Sequence, residues 1–422
     1  MIQKYSFILF FIAAFLLTSI AVNAQTDSSG SHGKLMFGGY GEIVFQHFNY
    51  SDDFNRYLYP EDYASGYSYG TTDMPHLVFY MAYDFGSGWK FSTEIEFEHG
   101  GSGAAIEIEA EEFGEYEQEV EKGGEIALEQ FWIEKNFSPG FNLRLGHFVV
   151  PVGATNNGHF PVEYFTVTRP EGESTIIPCT WHETGVSVWG NLSDWRYEVQ
   201  LINGLDADRF GSANWVNGGA SPYEYKLATN WAGAIRIDNH TINGLRLSVS
   251  GYYGLSASNS LKADRYAGID GAVSIASFDC EYNKNNIIAR GNIVYGNLED
   301  SKQISTINKS MPQASPSPHT DVASNAMCYS AEAGYNILSF FDQKEKLFPF
   351  VRYEYYNSME DTEAGILADE RYKRNVLTAG VNYFPLPQIV LKAEYSSRMF
   401  SSPYNDENTI SVGIMYTGFF TN

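Results

Sequence analysis

The sequence predicts an all-β chain: a transmembrane up-and-down antiparallel β-barrel of about sixteen strands, with an inward-folded third external loop. Three observations predict it. Apolar and polar side chains alternate with a period of two along most of the chain. The connections between alternating segments are long and short by turns. Aromatic residues reach 16%, with 30 Tyr and 29 Phe, and are joined by 39 Gly. The balance of 27 Lys+Arg against 51 Asp+Glu, a net charge of −24, excludes a nucleic-acid binder, which needs a basic face. With charged residues at only 18%, global disorder is excluded, and three cysteines cannot build a disulfide scaffold.

The first element is a targeting segment. Lys4 precedes an apolar run over 7–22, and Val22-Asn23-Ala24 places small residues where a signal peptidase reads. Residues 1–24 are therefore expected to be a signal peptide, cleaved before Gln25. Cleavage removes one lysine and no acid, so the acidity belongs to the mature chain. No later apolar run reaches the roughly 18 to 20 residues of a membrane helix. Residues 25–34 read as a short periplasmic lead-in and 35–422 as one outer-membrane barrel. With no plug ahead of it, a lumen of this size is expected to hold water.

The strand segments begin near Leu35, Pro75, Trp89, Glu125, Phe141, His182, Trp195 and Leu227, then near Gly244, Ala267, Asn286, Met327, Leu347, Tyr372, Gln388 and Asn408. Trp89, Phe91, Thr93, Ile95 and Phe97 face one way, and Lys90, Ser92, Glu94, Glu96 and Glu98 the other. The pattern recurs at Phe141, Leu143 and Leu145 against Asn142 and Arg144, and at Ile389, Leu391 and Ala393 against Val390, Lys392 and Glu394. A soluble sandwich alternates too. It has no reason to gather the long connections, 50–74, 99–124, 153–181, 203–226, 255–266, 298–326, 357–371 and 400–407, at one end. An outer-membrane barrel does, because its periplasmic turns are tight, as at Ser138-Pro139-Gly140. Hydrocarbon leaves no unpaired backbone group, which requires a sheet without edges. Trp89, Trp195, Trp231, Tyr353, Tyr355, Tyr383, Tyr395, Tyr416 and Phe420 fit the interfacial girdles.

Parity then names the pore-lining side chains: Glu94, Glu96, Glu98, Arg144, Arg196, Arg236, Arg246, Arg290, Arg352 and Lys392. Acids concentrate on the first three strands and arginines from the fifth onward, so a field across the pore is expected. Neighbouring pairs such as Arg352 with Glu354 and Lys392 with Glu394 would instead only keep the wall wet. The third loop, 153–181, is too apolar and proline-rich for a solvated tuft, and Arg169, Glu171 and Glu173 are its constriction residues. The second loop carries Glu107, Glu109, Glu111 and Glu112 in an acidic run with Lys122 as its only base. The run is a candidate for divalent cations or bridges to lipopolysaccharide phosphates, the plainer alternative being a solvated acidic loop. No cofactor is implied and no H-E-x-x-H, G-x-S-x-G or paired-cysteine spacing occurs. His47, Glu94, His99 and His182 are the residues that could meet at a rim as a hydrolase. Cys179, Cys280 and Cys328 are expected to stay unpaired.

The run Leu145-Gly146-His147-Phe148 to Pro151-Val152-Gly153, followed by Arg169-Pro170-Glu171, Ile176-Ile177-Pro178, Trp181-His182-Glu183-Thr184-Gly185 and Asn203-Gly204, resembles the phosphate-selective porin O and P type family as it occurs in Bacteroidetes. The resemblance spans most of the mature chain and is most specific over 145–204. It implies a sixteen-stranded porin of the Gram-negative outer membrane, a homotrimer in many members, narrowed by its third external loop. Members that select phosphate use arginine ladders and clustered lysines. Here Arg169 stands beside Glu171 and Glu173 without a lysine cluster, so the architecture carries over rather than the substrate. The expected function is passive diffusion of small hydrophilic solutes and ions, leaning weakly to anions, with outer-membrane lipid and lipopolysaccharide as surroundings and no enzymatic activity. A surface adhesin using the long loops, or a hydrolase at the rim, are the alternatives.

Overall fold

The computed structural model describes residues 33–101, 124–220, 227–260, 263–312, 317–341 and 343–420. The expected signal peptide, nearly all of the lead-in and the acidic run from Glu107 to Glu112 lie outside the described residues. Seventeen strand segments make one sheet, and two of them form a single interrupted strand, so the wall has sixteen strands. They are β1 (Lys34–Phe48), β2 (Tyr69–Asp73 and His76–Gly86), β3 (Trp89–Glu98), β4 (Ile126–Ser138), β5 (Phe141–Val149), β6 (His182–Leu192), β7 (Trp195–Asn203) and β8 (Trp231–Asn239). There follow β9 (Leu245–Leu255), β10 (Ala272–Lys284), β11 (Ile287–Leu298), β12 (Asn325–Tyr335), β13 (Lys346–Asp361), β14 (Lys373–Leu386), β15 (Ile389–Phe400) and β16 (Glu407–Phe419).

Each strand pairs antiparallel with the next, and β1 closes the ring on β16 from Gly38 opposite Phe419 to Phe48 opposite Thr409. Closure satisfies the backbone of both end strands, which hydrocarbon would otherwise penalise by several kcal/mol per group. Pro75 lies at the break in β2, where proline has no N–H to give the ladder. Both halves still pair with β1, through Val44 opposite Asp73 and Gly41 opposite Leu77. The strand expected to begin at Pro75 therefore reaches further up the wall.

The outer surface is the apolar one. Ile43, Phe131, Ile133, Val249, Val351 and Ile414 are exposed, while Val44, Glu134, Ser250, Arg352 and Met415 beside them are buried. A soluble sandwich would cover such a band, whereas lipid supplies its solvent in a membrane barrel. Trp89, Trp195, Trp231 and Phe420, at or just beyond strand ends, also face outward, as do Tyr383 and Tyr395 further along their strands. The chain is a closed β-barrel of the bacterial outer membrane. Among the described residues no helix is long and apolar enough to cross a membrane; the strands do the crossing.

Two sequence expectations shift. The strands placed at Leu227 and Ala267 begin at Trp231 and Ala272. Before Ala272 the chain makes a tight turn at Ala263–Tyr266 and passes Gly268 and Gly271 at φ of 85° and 57°, left-handed backbone that a strand cannot use. The alternation of connection lengths is not strict either. The connection 336–345, on the short-turn side, contains a turn at Ile337–Phe340 and exceeds 401–406 on the opposite side.

Candidate functional site: the lining of the lumen

The inward face of β4 to β13 carries one continuous chain of alternating charge. Arg144 reaches Glu134 at 2.9 Å and Glu198 at 3.9 Å, and Arg196 reaches Glu198 at 2.6 Å and Asp238 at 3.5 Å. Arg236 joins Asp238 at 2.8 Å to Asp279 at 3.0 Å, and Arg246 joins Asp279 at 2.5 Å to Glu281 at 3.9 Å. Arg290 continues from Glu281 at 3.2 Å to Glu332 at 2.7 Å, and Arg352 from Glu332 at 3.1 Å to Glu354 at 3.3 Å. For this arginine-dominated half the pairing alternative describes the wall, Arg352 with Glu354 included. Each guanidinium shares at least two carboxylates, so the field of this half is largely cancelled within a few ångströms. Asp238, Asp279 and Glu281 were missed, although they hold the same parity as Arg236 and Arg246 and could have been counted.

The segment from Val150 to Trp181 hydrogen-bonds to inward side chains of distant strands. On β15, Lys392 Nζ donates to the carbonyls of Tyr164 at 2.8 Å and Thr166 at 2.7 Å, and Glu394 accepts from the Val167 N–H at 2.8 Å. On β13, Glu354 accepts from the Gly172 N–H at 2.8 Å. Arg236 on β8 donates to the Gly153 carbonyl at 2.9 Å. Apolar contacts add to these polar ones. Phe165 stacks on Phe350 at 5.2 Å beside Phe348, and Val167 packs with Val44, Val390 and Met415. A short helix, Glu171–Ile176, sets Ile176 and Ile177 into a larger apolar core with Trp181, Leu205 and Trp215.

Two polar cavities flank this segment. The larger, about 500 Å³, lies toward the short-turn end and is lined by Arg196, Arg236, Arg246, Arg290 and Arg352 together with Glu163, Asp238, Asp279, Glu281 and Glu332. The smaller, about 70 Å³, lies toward the long-loop end and is lined by Gln46, Phe48, Arg169, Glu171, Glu394, Arg398 and Thr409. Pro170 and Arg352 border both.

The remaining sequence-named residues fall elsewhere. Glu94 and Glu96 are 1% and 3% exposed on the β3 wall, and with Glu98 they border neither cavity. Arg144 is held by Glu134 between the Trp132 and Trp189 rings, away from both cavities. Lys392 is covered by the carbonyls it binds and by the Tyr164 ring. Glu173, 1% exposed, accepts from the N–H groups of Ala154 and Asn156 at 2.9 Å and from Asn292 at 2.7 Å, so it braces the segment instead of facing solute. Arg169 donates to the Cys179 carbonyl at 3.2 Å and to the Tyr40 hydroxyl at 3.4 Å.

Glu171 is clamped by Arg398 at 2.9 Å and the Tyr356 hydroxyl at 2.6 Å. Burial pushes its carboxyl up, yet these partners hold it below the usual carboxylate range. Burial, with Arg169 adding to it, pushes the His159 imidazole down to about 3. The four residues named for a rim hydrolase do not converge: His99 pairs with Asp73, His182 with His147 and Glu94 with Gln130, while His47 lies opposite Ile410. Cys179, Cys280 and Cys328 are free thiols.

No protein-family model matches the chain. A protein of Aquifex aeolicus (strain VF5), described as uncharacterized, is 27% identical over 330 residues, 76% of this chain and 70% of that one. Among solved structures, the anion-selective porin of Comamonas acidovorans is similar with a TM-score of 0.53 at 11% identity, over 92% of this chain and 100% of that one. The outer-membrane channel DcaP of Acinetobacter baumannii is similar with a TM-score of 0.52 at 11% identity, over 92% of this chain and 97% of that one. OmpF of Salmonella typhi, solved in complex with daunomycin, gives 0.52 at 12% identity over the same shares. At these identities the likeness establishes the fold, a porin barrel.

Proposed function

We propose that the chain is an outer-membrane diffusion porin for small hydrophilic solutes and ions, narrowed from within by residues 150–181. The observation that supports this reading is the pair of polar cavities on either side of that segment, which meet at Pro170 and Arg352 and lie one above the other in the lumen. Polar space lined by charge, inside a wall whose outside is apolar, suits solutes that carry their own hydration.

The larger cavity sets five arginines against five carboxylates, which supports weak charge selectivity with at most a slight preference for anions, and no dedicated phosphate site. The anion-selective porin of Comamonas acidovorans shares the fold and is consistent with that lean. A homotrimer in contact with lipopolysaccharide belongs to the same reading. Cross-linking before denaturation would then end its ladder at three subunits.

Liposome swelling tests the function. Vesicles holding the refolded protein should swell in isosmotic arabinose and more slowly in raffinose, because the narrowing discriminates by size. Vesicles that swell no faster than protein-free ones in any sugar would overturn the reading.

A further inference from the structure

The ion-pair chain on β4 to β13 has a counterpart that lacks arginine. On the neighbouring wall, β1 to β4 bring Glu42, His76, Glu94, Glu96, Glu98 and Glu129 to one place on the lumen face. His76 and Glu98 are register partners across β2 and β3, and Glu96 lies one step of the pleat away on the same face. His76 Nδ1 lies 2.5 Å from Glu42 Oε1, and its Nε2 lies 3.9 Å from Glu96 Oε1. One donor atom each from His76, Glu96 and Glu98 fall within 4.8 Å of one another.

A second observation comes from β4. The ladder slips between Gln130, opposite Glu94, and Leu128, opposite Ile95, which leaves Glu129 as an extra residue in a bulge. The bulge turns the Glu129 carboxyl onto those of Glu94 and Glu96. Glu129 is 3% exposed and its Oε2 has no hydrogen-bond partner; neither have Glu42 Oε2, Glu94 Oε1 or Glu96 Oε1. Among the described residues no lysine or arginine forms an ion pair with any of these four, whereas the acids from Glu134 to Glu354 on the ion-pair chain each have one. Uncompensated carboxylates in contact away from bulk water are costly, and a cation coordinated between them removes the cost.

The donor chemistry selects the cation. One imidazole among carboxylates suits first-row divalent ions such as Zn²⁺ or Mn²⁺, while Ca²⁺ takes oxygen ligands alone. Ligand atoms around a tetrahedral ion sit roughly 3.3 to 3.6 Å apart, so three donors lying within 4.8 Å of one another close onto it by side-chain movements of about an ångström.

We propose that His76, Glu96 and Glu98, with Glu129 reaching in from the bulge, bind a first-row divalent transition cation on the lumen wall. Zn²⁺ is the probe. Metal-stripped protein, folded in detergent and titrated calorimetrically with Zn²⁺, should show one site per chain that Ca²⁺ at equal concentration does not fill. Glu96→Gln and His76→Gln should each weaken that site by at least about tenfold, the range in which losing even a supporting contact to a ligand is felt. Asp321→Asn, an acid on an external loop, should leave it unchanged. Glu98→Gln, at a less buried position, repeats the test where Glu96→Gln fails to give a heat-modifiable folded barrel. Zn²⁺ binding that survives His76→Gln and Glu98→Gln, equal filling by Ca²⁺, or no binding would each overturn the proposal. The readout is binding, so its failure leaves the diffusion function standing, and a barrel without current could still bind the ion.

Discussion

At the scale of single residues, the lumen holds two kinds of charge. Lys392 and Glu173 spend their hydrogen bonds on backbone groups of residues 150–181, and a buried carbonyl or N–H left without its partner would cost about 1 to 3 kcal/mol. His159 adds a pH dependence. Its Nδ1 pairs with the Asn156 carbonyl at 3.0 Å while burial holds the ring neutral, with a folded value of about 3 against an ordinary value near 6.5. A histidine with a depressed folded value contributes stability that is complete above the unfolded value and lost as pH falls below it. Between pH 7.5 and 5.5 the segment should lose on the order of 1 kcal/mol of its anchoring. Glu171 keeps its clamp in that window, since its carboxyl lies below the usual range. Protease nicking within 150–181 should therefore quicken at pH 5.5 and show no such change in His159→Gln. Identical nicking at both pH values in the native protein would refute the assignment.

At the scale of elements, Phe165 is the apolar anchor of the third long connection, stacked on Phe350 and packed by Phe348 and Phe384. Phe165→Ala removes a contact of the class that costs up to about 3 to 5 kcal/mol in a closed core, and less beside water. The barrel should keep its heat-modifiable gel shift while single-channel conductance rises and becomes noisier. Unchanged conductance would mean that the segment does not limit the path.

The elements themselves were largely legible, because period-two alternation survives in any strand with lipid on one side and water on the other. Trp89, Phe141, His182 and Trp195 begin their strands as the pattern requires. What escaped was set by contacts the pattern does not encode. Pro75 interrupts a strand that resumes above it, and the loop glycines 268 and 271 delay β10. Asp238 and Asp279 were open to counting by parity. Glu129 was not, since the Glu129 bulge shifts the parity of β4 and no residue in the run announces it.

At the scale of the molecule, net charge misleads. The value of −24 counts external acids, and charges beyond a Debye length of roughly 8 to 10 Å are largely screened from the path. The balanced ion-pair chain lines the larger cavity, whereas the buried acids of β3 border neither cavity and can act on the proposed path only through their field. Replacing Glu94, Glu96 and Glu98 together with Gln, with chelator present, should move the reversal potential in a salt gradient toward anions. No movement, or movement toward cations, would remove those side chains from the field of the path.

The central claim is that a continuous aqueous path runs through the barrel past Pro170 and Arg352. Single-channel recording of the purified native protein in a planar lipid bilayer tests it most directly. Stepwise, long-lived, ohmic current with a small reversal potential is the result expected, and a folded, inserted barrel that carries no ion current would contradict it.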